Sequence, residues 1–122
     1  MSAVPSTASH GNDAPVLASR NGGVLTLTLN RPAQFNALSA ELMAAMQIEL
    51  ERAAADPAVR VVVVAAAGKA FCAGHDLREM RAEPSLDYYQ KLFAQCSRMM
   101  MTIQRMPQPV IARVHGIATA AG

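Results

Sequence analysis

The chain has 122 residues, of which 52% are hydrophobic, 16% charged and 4% aromatic, with a formal net charge of +2. That fits one domain or a piece of one, with ample apolar content for a core and a composition unlike that of disordered or nucleic-acid-binding tails. No basic cluster marks a nucleic acid or anionic membrane as partner, and no apolar run reaches the roughly 18 residues of a membrane span. Cys72 and Cys96 have neither metal-ligand nor redox spacing, so reduced thiols in a cytoplasmic protein are the simpler reading.

Residues 1–15 mix small and polar side chains with two prolines, lack arginine, and hold no apolar segment long enough for a signal peptide. They read as a mobile tail, with His10 a solvated side chain. Order is expected from Val16. Residues 16–20, 21–23 and 24–29 predict a hairpin: Asn21-Gly22 suits the positive φ of a tight turn, and Leu25, Leu27 and Leu29 alternate with Thr26 and Thr28. Pro32 ends the second strand because it cannot donate to a ladder. After a loop over residues 34–38, Ser39 is the expected N-cap of a helix running to about Ala55. Leu42, Met43, Met46, Leu50 and Ala53 share one face of it, with Ile48 off that face and Glu49 intruding. Asp56-Pro57 stops it.

The uncharged, β-branched start of residues 61–67 predicts a strand buried on both faces. Gly68 and Lys69 end it. Ala73 and Gly74 then leave the main chain almost uncovered, so a ligand can approach closely. Residues 77–80 predict the start of a helix, which puts the N–H groups of Gly74, His75 and Asp76 near a helix N-terminus, where donors lack partners and favour negative charge. This turn reads as half of an active site.

A second helix follows, capped by Ser85 and running to about Met106, with Asp87 suiting its positive end. Tyr89, Leu92, Phe93, Cys96, Met99, Met100 and Ile103 keep the helical spacing. A methionine stripe of this kind is core packing first and the lining of an acyl pocket second. Pro107-Gln108-Pro109 breaks the helix, residues 110–114 predict a short strand, His115-Gly116 a turn, and residues 117–122 the start of a further helix of very small residues. Two strand-to-turn-to-helix junctions result, around residues 73–75 and 120–122. If they converge, donors from separate segments bind one oxygen, the geometry of an oxyanion hole for acyl chemistry.

Other constellations carry less. Cys72, His75 and Asp76 could suggest a thiol nucleophile or a metal site, but no fourth ligand accompanies them, and no metal is expected. Gly68-Lys69 fails as a P-loop, since Ala70 lacks the magnesium-binding hydroxyl and Val63 stands where the first glycine belongs. Arg31, Lys69 and Arg78 are cations of the kind that hold phosphates, Arg78 foremost because of its place after the turn.

Three blocks, taken in order, carry a resemblance. Leu29-Asn30-Arg31-Pro32 with Asn36-Ala37-Leu38, then residues 68–77 (GKAFCAGHDL), then Pro109-Val110-Ile111-Ala112 with His115-Gly116, resemble the crotonase (enoyl-CoA hydratase/isomerase) family. The likeness covers nearly all of residues 16–122. It implies an α/β fold, a crotonase-like superhelix of repeated ββα units, here truncated to its N-terminal part because the full domain is roughly twice this length. It further implies an acyl-CoA lyase or isomerase, foremost an enoyl-CoA hydratase working through an enolate. The coenzyme A thioester is the substrate, no other cofactor is implied, and trimers or hexamers are the implied homo-oligomers.

Position by position, the resemblance implies an oxyanion hole made by the backbone N–H groups of His75 and Ala121. Substrate contacts are implied at Asn36, Ala37, Leu38, Ala73, Gly74, His75, Asp76, Leu77, Arg78 and Ala121. The family's usual residue at position 75 is Ala, and glycines are common where this chain has Ala120-Ala121-Gly122, so added methyl groups crowd the thioester. The two glutamates that family hydratases use as acid and base fall beyond Gly122, and Glu79 and Glu83 read as solvated carboxylates. The expectation is that residues 1–122 alone do not hydrate crotonyl-CoA. A non-catalytic acyl-CoA-binding or assembly member is the alternative. A serine peptidase of related superhelix is a further one, against which stands Ala120 in the nucleophile's place with Thr119 beside it.

Overall fold

The computed structural model describes residues 13–122. Strand β1 (Val16–Asn21) pairs antiparallel with β2 (Val24–Leu29), in register from Val16 opposite Leu29 to Asn21 opposite Val24. Asn21 is therefore the last residue of its strand, and the left-handed position of the turn falls on Gly22, at φ +60°. β2 is parallel to β3 (Val61–Ala66), and β3 to β4 (Val110–Ala112), giving a four-stranded sheet in the order β1-β2-β3-β4.

Parallel neighbours need crossover connections, and helices supply them. Helix α1 (Ala40–Ala55) links β2 to β3, after a short 3-10 turn at Pro32–Gln34. Helices α2 (Leu77–Ala82) and α3 (Leu86–Arg105) link β3 to β4. Leu42, Met43, Met46, Leu50 and Ala53 of α1 are all buried, packed with Leu92, Cys96 and Met99 of α3 against Leu27, Leu29, Val62 and Val64. The caps are where the side-chain chemistry puts them: Ser39 Oγ accepts the Leu42 N–H at 3.1 Å, and Ser85 Oγ accepts the Tyr88 N–H at 3.1 Å. Gln47 is a polar residue on the apolar face of α1. Its amide Nε2 donates to Thr102 Oγ1 at 2.8 Å and Glu51 Oε2 at 2.9 Å, tying α1 to α3.

Several expectations shift. β3 is not buried on both faces: Val62 and Val64 are buried, while Val61 and Val63 are half-covered, because α1 and α3 pack on one side only among the described residues. β4 spans three residues, with Ile111 exposed within it, and the chain beyond it exposes Val114 and Ile117. Residues 119–122 make a turn rather than a helical start. The Gly122 N–H donates to Thr119 O at 2.8 Å, with Ala120 at φ +52°, a left-handed value that no α-helical turn contains. At the other end, the carbonyls of Asp13, Ala14 and Pro15 accept hydrogen bonds from Arg31 and Asn30, so fixed backbone begins before Val16. The rest of the tail read from sequence, with His10, lies outside the described residues. No helix among those residues is long and apolar enough to cross a membrane.

Candidate active site

The chain after β3 and the chain after β4 run side by side. Beyond the strand ends, the N–H groups of Phe71 and Cys72 both donate to Ile117 O (2.9 and 3.2 Å), and the Thr119 N–H donates to Cys72 O at 3.1 Å. Parallel pairing thus resumes at Cys72 and Ala118 and delivers the two small-residue turns to the same place.

Gly74 is where they touch. It sits at φ +87°, and a Cβ built on it would lie 2.9 Å from Ala120 Cβ, 3.1 Å from Thr119 O and 3.4 Å from the Ala121 nitrogen. Only glycine supplies both that backbone conformation and that approach. On its other side Gly74 O accepts the Leu38 N–H at 2.7 Å, and the Asp76 N–H donates to Leu38 O at 3.3 Å. In such a parallel bridge the intervening residue turns its own N–H to the opposite edge, so the His75 amide points away from Leu38. Among the described residues neither the His75 nor the Ala121 N–H has an acceptor. The Asp76 amide is engaged with Leu38, so it is not among the free donors as the sequence suggested; the Asp76 carboxylate caps α2 by accepting the Glu79 N–H at 3.1 Å.

Asn36 supports the turn from beneath. It is wholly buried, at φ +54°, a conformation Asn tolerates better than most residues. Its Oδ1 accepts the Arg31 N–H at 2.7 Å, and its Nδ2 donates to Ala67 O at 2.8 Å and Ala70 O at 3.0 Å. Its side chain therefore offers a ligand no surface and acts as scaffold. Next to it, Phe35 O accepts the Ala73 N–H at 3.1 Å. Ala37 is half-buried and Leu38 buried, whereas Ala73, Leu77 and Arg78 are exposed.

An apolar cavity of about 270 Å³ opens beside the second turn, lined by Leu38, Leu42, Cys72, Met99, Met100, Ile103 and Ala121 among others. The methionine stripe of α3 thus serves core and cavity together. Ala121 joins the cavity wall to the free amide. Within that wall Cys72 donates its thiol to Asn36 O at 3.1 Å, and burial pushes the thiol's pKa up, which keeps it protonated and unreactive. No three His, Cys, Asp or Glu residues among those described are grouped to hold a metal. Thr119 Oγ1 lies 3.3 Å from Ala73 O, engaged with backbone rather than with a base.

The three phosphate-binding candidates separate. Arg31 pairs with Glu41 at 2.9 Å and donates to Asp13 O at 2.9 Å, while Arg78 is exposed and unpaired among the described residues. Lys69 is likewise exposed and unpaired among them.

A family model described as enoyl-CoA hydratase/isomerase matches residues 19–122. The chain belongs to the enoyl-CoA hydratase/isomerase family. It is 38% identical to a mitochondrial enoyl-CoA hydratase domain-containing protein 3 of Xenopus laevis, over 95% of this chain and 40% of that protein. To the enoyl-CoA hydratase EchA19 of Mycobacterium tuberculosis it is likewise 38% identical, over 95% of this chain and 44% of the other. The crystal structure of an enoyl-CoA hydratase from Mycobacterium smegmatis superposes with a TM-score of 0.87 at 63% identity, covering 88% of this chain and 42% of that one. This member of the family therefore spans about 40% of the length of the curated relatives it matches, and its fold is the corresponding part of the crotonase superhelix.

Sequence reasoning missed how the turn is braced. Glu79, read as a solvated carboxylate, accepts the Ala40 N–H at 2.9 Å. Phe93, read as core, is half-exposed and packs edge-to-face on the His75 ring, centroids 5.2 Å apart. Helical periodicity assigns faces, but neither contact leaves a local mark in the sequence.

Proposed function

We propose that the complete protein binds an acyl-CoA thioester and acts on it as an enoyl-CoA hydratase, with the N–H groups of His75 and Ala121 as its oxyanion hole. The observation that carries the reading is a pair of acceptor-free amides on two turns that are hydrogen-bonded to each other and leave no room for a Cβ at Gly74. In hydration, water oxygen bonds to the β-carbon of a 2-enoyl thioester, and the double-bond electrons move onto the thioester oxygen as an enolate. Two fixed donors stabilise that charge with no reorganisation at the moment of reaction. The attacking water gives up one proton to a base, and delivery of a proton to the α-carbon collapses the enolate and completes the addition. The apolar cavity takes the acyl chain, and the segment Ala73 to Arg78 with Ala37 and Leu38 lines the approach of the coenzyme A portion, with Asn36 shaping that loop from within. No cofactor beyond the thioester enters this scheme. The assembly proposed is a trimer or hexamer, and the compartment a reducing one, the cytoplasm, in keeping with the free buried thiols Cys72 and Cys96.

A second reading, an acyl-CoA-binding or assembly member without catalysis, rests on the same cavity and amides and differs only in lacking the acid and base. A chimaera tests whether these residues can serve the catalytic reading. Residues 16–122 are joined to the remainder of the M. smegmatis hydratase and assayed for hydration of crotonyl-CoA beside residues 1–122 alone. The chimaera is expected to turn over and the short chain not to. Ala121→Pro, which deletes one donor, is expected to lower the chimaera's kcat by about 10²–10³. Unchanged kcat in that variant removes Ala121 from the hole, and an inactive but folded chimaera that binds crotonyl-CoA favours the second reading.

A further inference from the structure

Helix α2 (Leu77–Ala82) fully buries none of its residues: Leu77 at its start is 65% exposed, and Met80 packs half-buried against the core. Polar ties add to that single apolar anchor. Glu79 Oε1 accepts the N–H of Ala40, the first amide of α1, at 2.9 Å. Ser39 Oγ already serves the Leu42 N–H, so α2 supplies from outside an acceptor that the cap of α1 lacks. The carboxylate also stands at the positive end of a sixteen-residue helix. From α3, Gln95 Nε2 donates to Ala40 O at 3.0 Å, and the Tyr89 hydroxyl donates to Met80 O at 3.2 Å.

Two residues before Ala40, Leu38 brackets His75 through its bonds to Gly74 O and the Asp76 N–H, at 2.7 and 3.3 Å. Residues 38–40 and 74–79 therefore form a ring. Backbone pairing closes one end, and the Glu79–Ala40 bond closes the other.

We propose that Glu79 is a positioning residue whose grip on the first amide of α1 closes this ring and fixes the direction of the His75 N–H. The bond lies outside the cavity, so Glu79 acts through Ala40 and Leu38 rather than on a ligand. The inference takes its meaning from the oxyanion role proposed for His75, but its measurement needs no thioester.

The test is NMR amide exchange on isotopically labelled residues 1–122, comparing native protein with Glu79→Ala, Glu79→Asp and Glu79→Gln. Asp keeps the charge but withdraws it by one methylene; Gln keeps an oxygen acceptor at full reach. Loss of the bond in Glu79→Ala and Glu79→Asp is expected to accelerate exchange at Leu38 and Asp76 by about fivefold or more, a local opening. Exchange at the sheet amide of Val62 is expected to stay within about twofold, because that strand belongs to the cooperative core. The His75 amide signal is expected to broaden or split. Glu79→Gln is expected to restore a single His75 signal and near-native exchange. Unchanged exchange in both Ala and Asp variants overturns the proposal, as does acceleration of Val62 in step, or a Gln variant that behaves like Ala. These outcomes are independent of the chimaera assay, so failure of the hydratase reading and failure of the positioning role remain distinct.

Discussion

The two turns that meet at Gly74 are built very differently. In the first, Ala70, Phe71, Cys72 and Gly74 are buried, and Asn36, Phe35 and Leu38 hold the backbone on one side. In the second, Ile117 is 69% exposed, Ala118 to Ala120 are exposed as well, and the segment is anchored through Cys72 and Ala73 of the first. One free amide is thus set by the core, and the other is set by its neighbour. Fixed donors contribute most where no reorganisation is needed at the moment of reaction, so the pair is only as rigid as the first turn. Damage to the first turn should loosen both donors, whereas changes in the second should stay local.

Asn36 offers the strongest way to break that hierarchy. Asn36→Ala strands the Arg31 N–H and the carbonyls of Ala67 and Ala70, and places Ala at φ +54°. Buried groups left without partners are destabilising by ~1–3 kcal/mol each, so a total loss of about 3 kcal/mol is expected. Urea unfolding followed by circular dichroism checks it. A loss under about 1 kcal/mol, within the range of ordinary substitutions, means the first turn is not held from beneath.

Gly74→Ala should come next, at roughly 2 kcal/mol, from the left-handed backbone and from the contacts with Ala120 Cβ and Thr119 O at 2.9 and 3.1 Å. Because the new methyl group drives between the turns, the amide signals of His75 and Ala121 are both expected to shift in NMR spectra. A shift confined to His75 would show that the turns are not in contact in solution.

What the sequence discloses follows the range of the interaction. The α1 face, the Ser39 and Ser85 caps and the hairpin depend on residues a few positions apart, and local chemistry is enough to place them. The likeness carried by residues 68–77 reached the family. Long-range partners left no such trace. Burial of β3 on one face depends on where α1 and α3 pack, and the engagement of the Asp76 amide depends on Leu38, 38 positions earlier by number. Glu79 looked solvated because a lone carboxylate on a short helix usually is, and its partner lies 39 residues away. The expected helical start after residue 117 rested on small residues alone; one helical turn fixes several dihedrals for a single hydrogen bond, and the observed turn closes instead through a left-handed Ala120.

That Ala120 provides the finest test of the difference between the turns. At φ +52° an Ala carries a steric penalty that Gly avoids, partly offset by the larger freedom of Gly in the unfolded chain. Ala120→Gly is therefore expected to stabilise by about 0.5–1 kcal/mol, a rise of a few °C in Tm for a chain of this size. The same change removes the Cβ that stands 2.9 Å from the point where Gly74 would carry its own. In the background of Ala120→Gly, then, Gly74→Ala loses its closest contact and should cost about 0.5 kcal/mol or more less than in the native chain, a coupling typical of residues that touch. The remaining penalty comes from the backbone of Gly74 and the Thr119 carbonyl, which Ala120→Gly leaves in place. Strict additivity of the two substitutions would mean that the second turn does not rest on the first, and that their amides are independent.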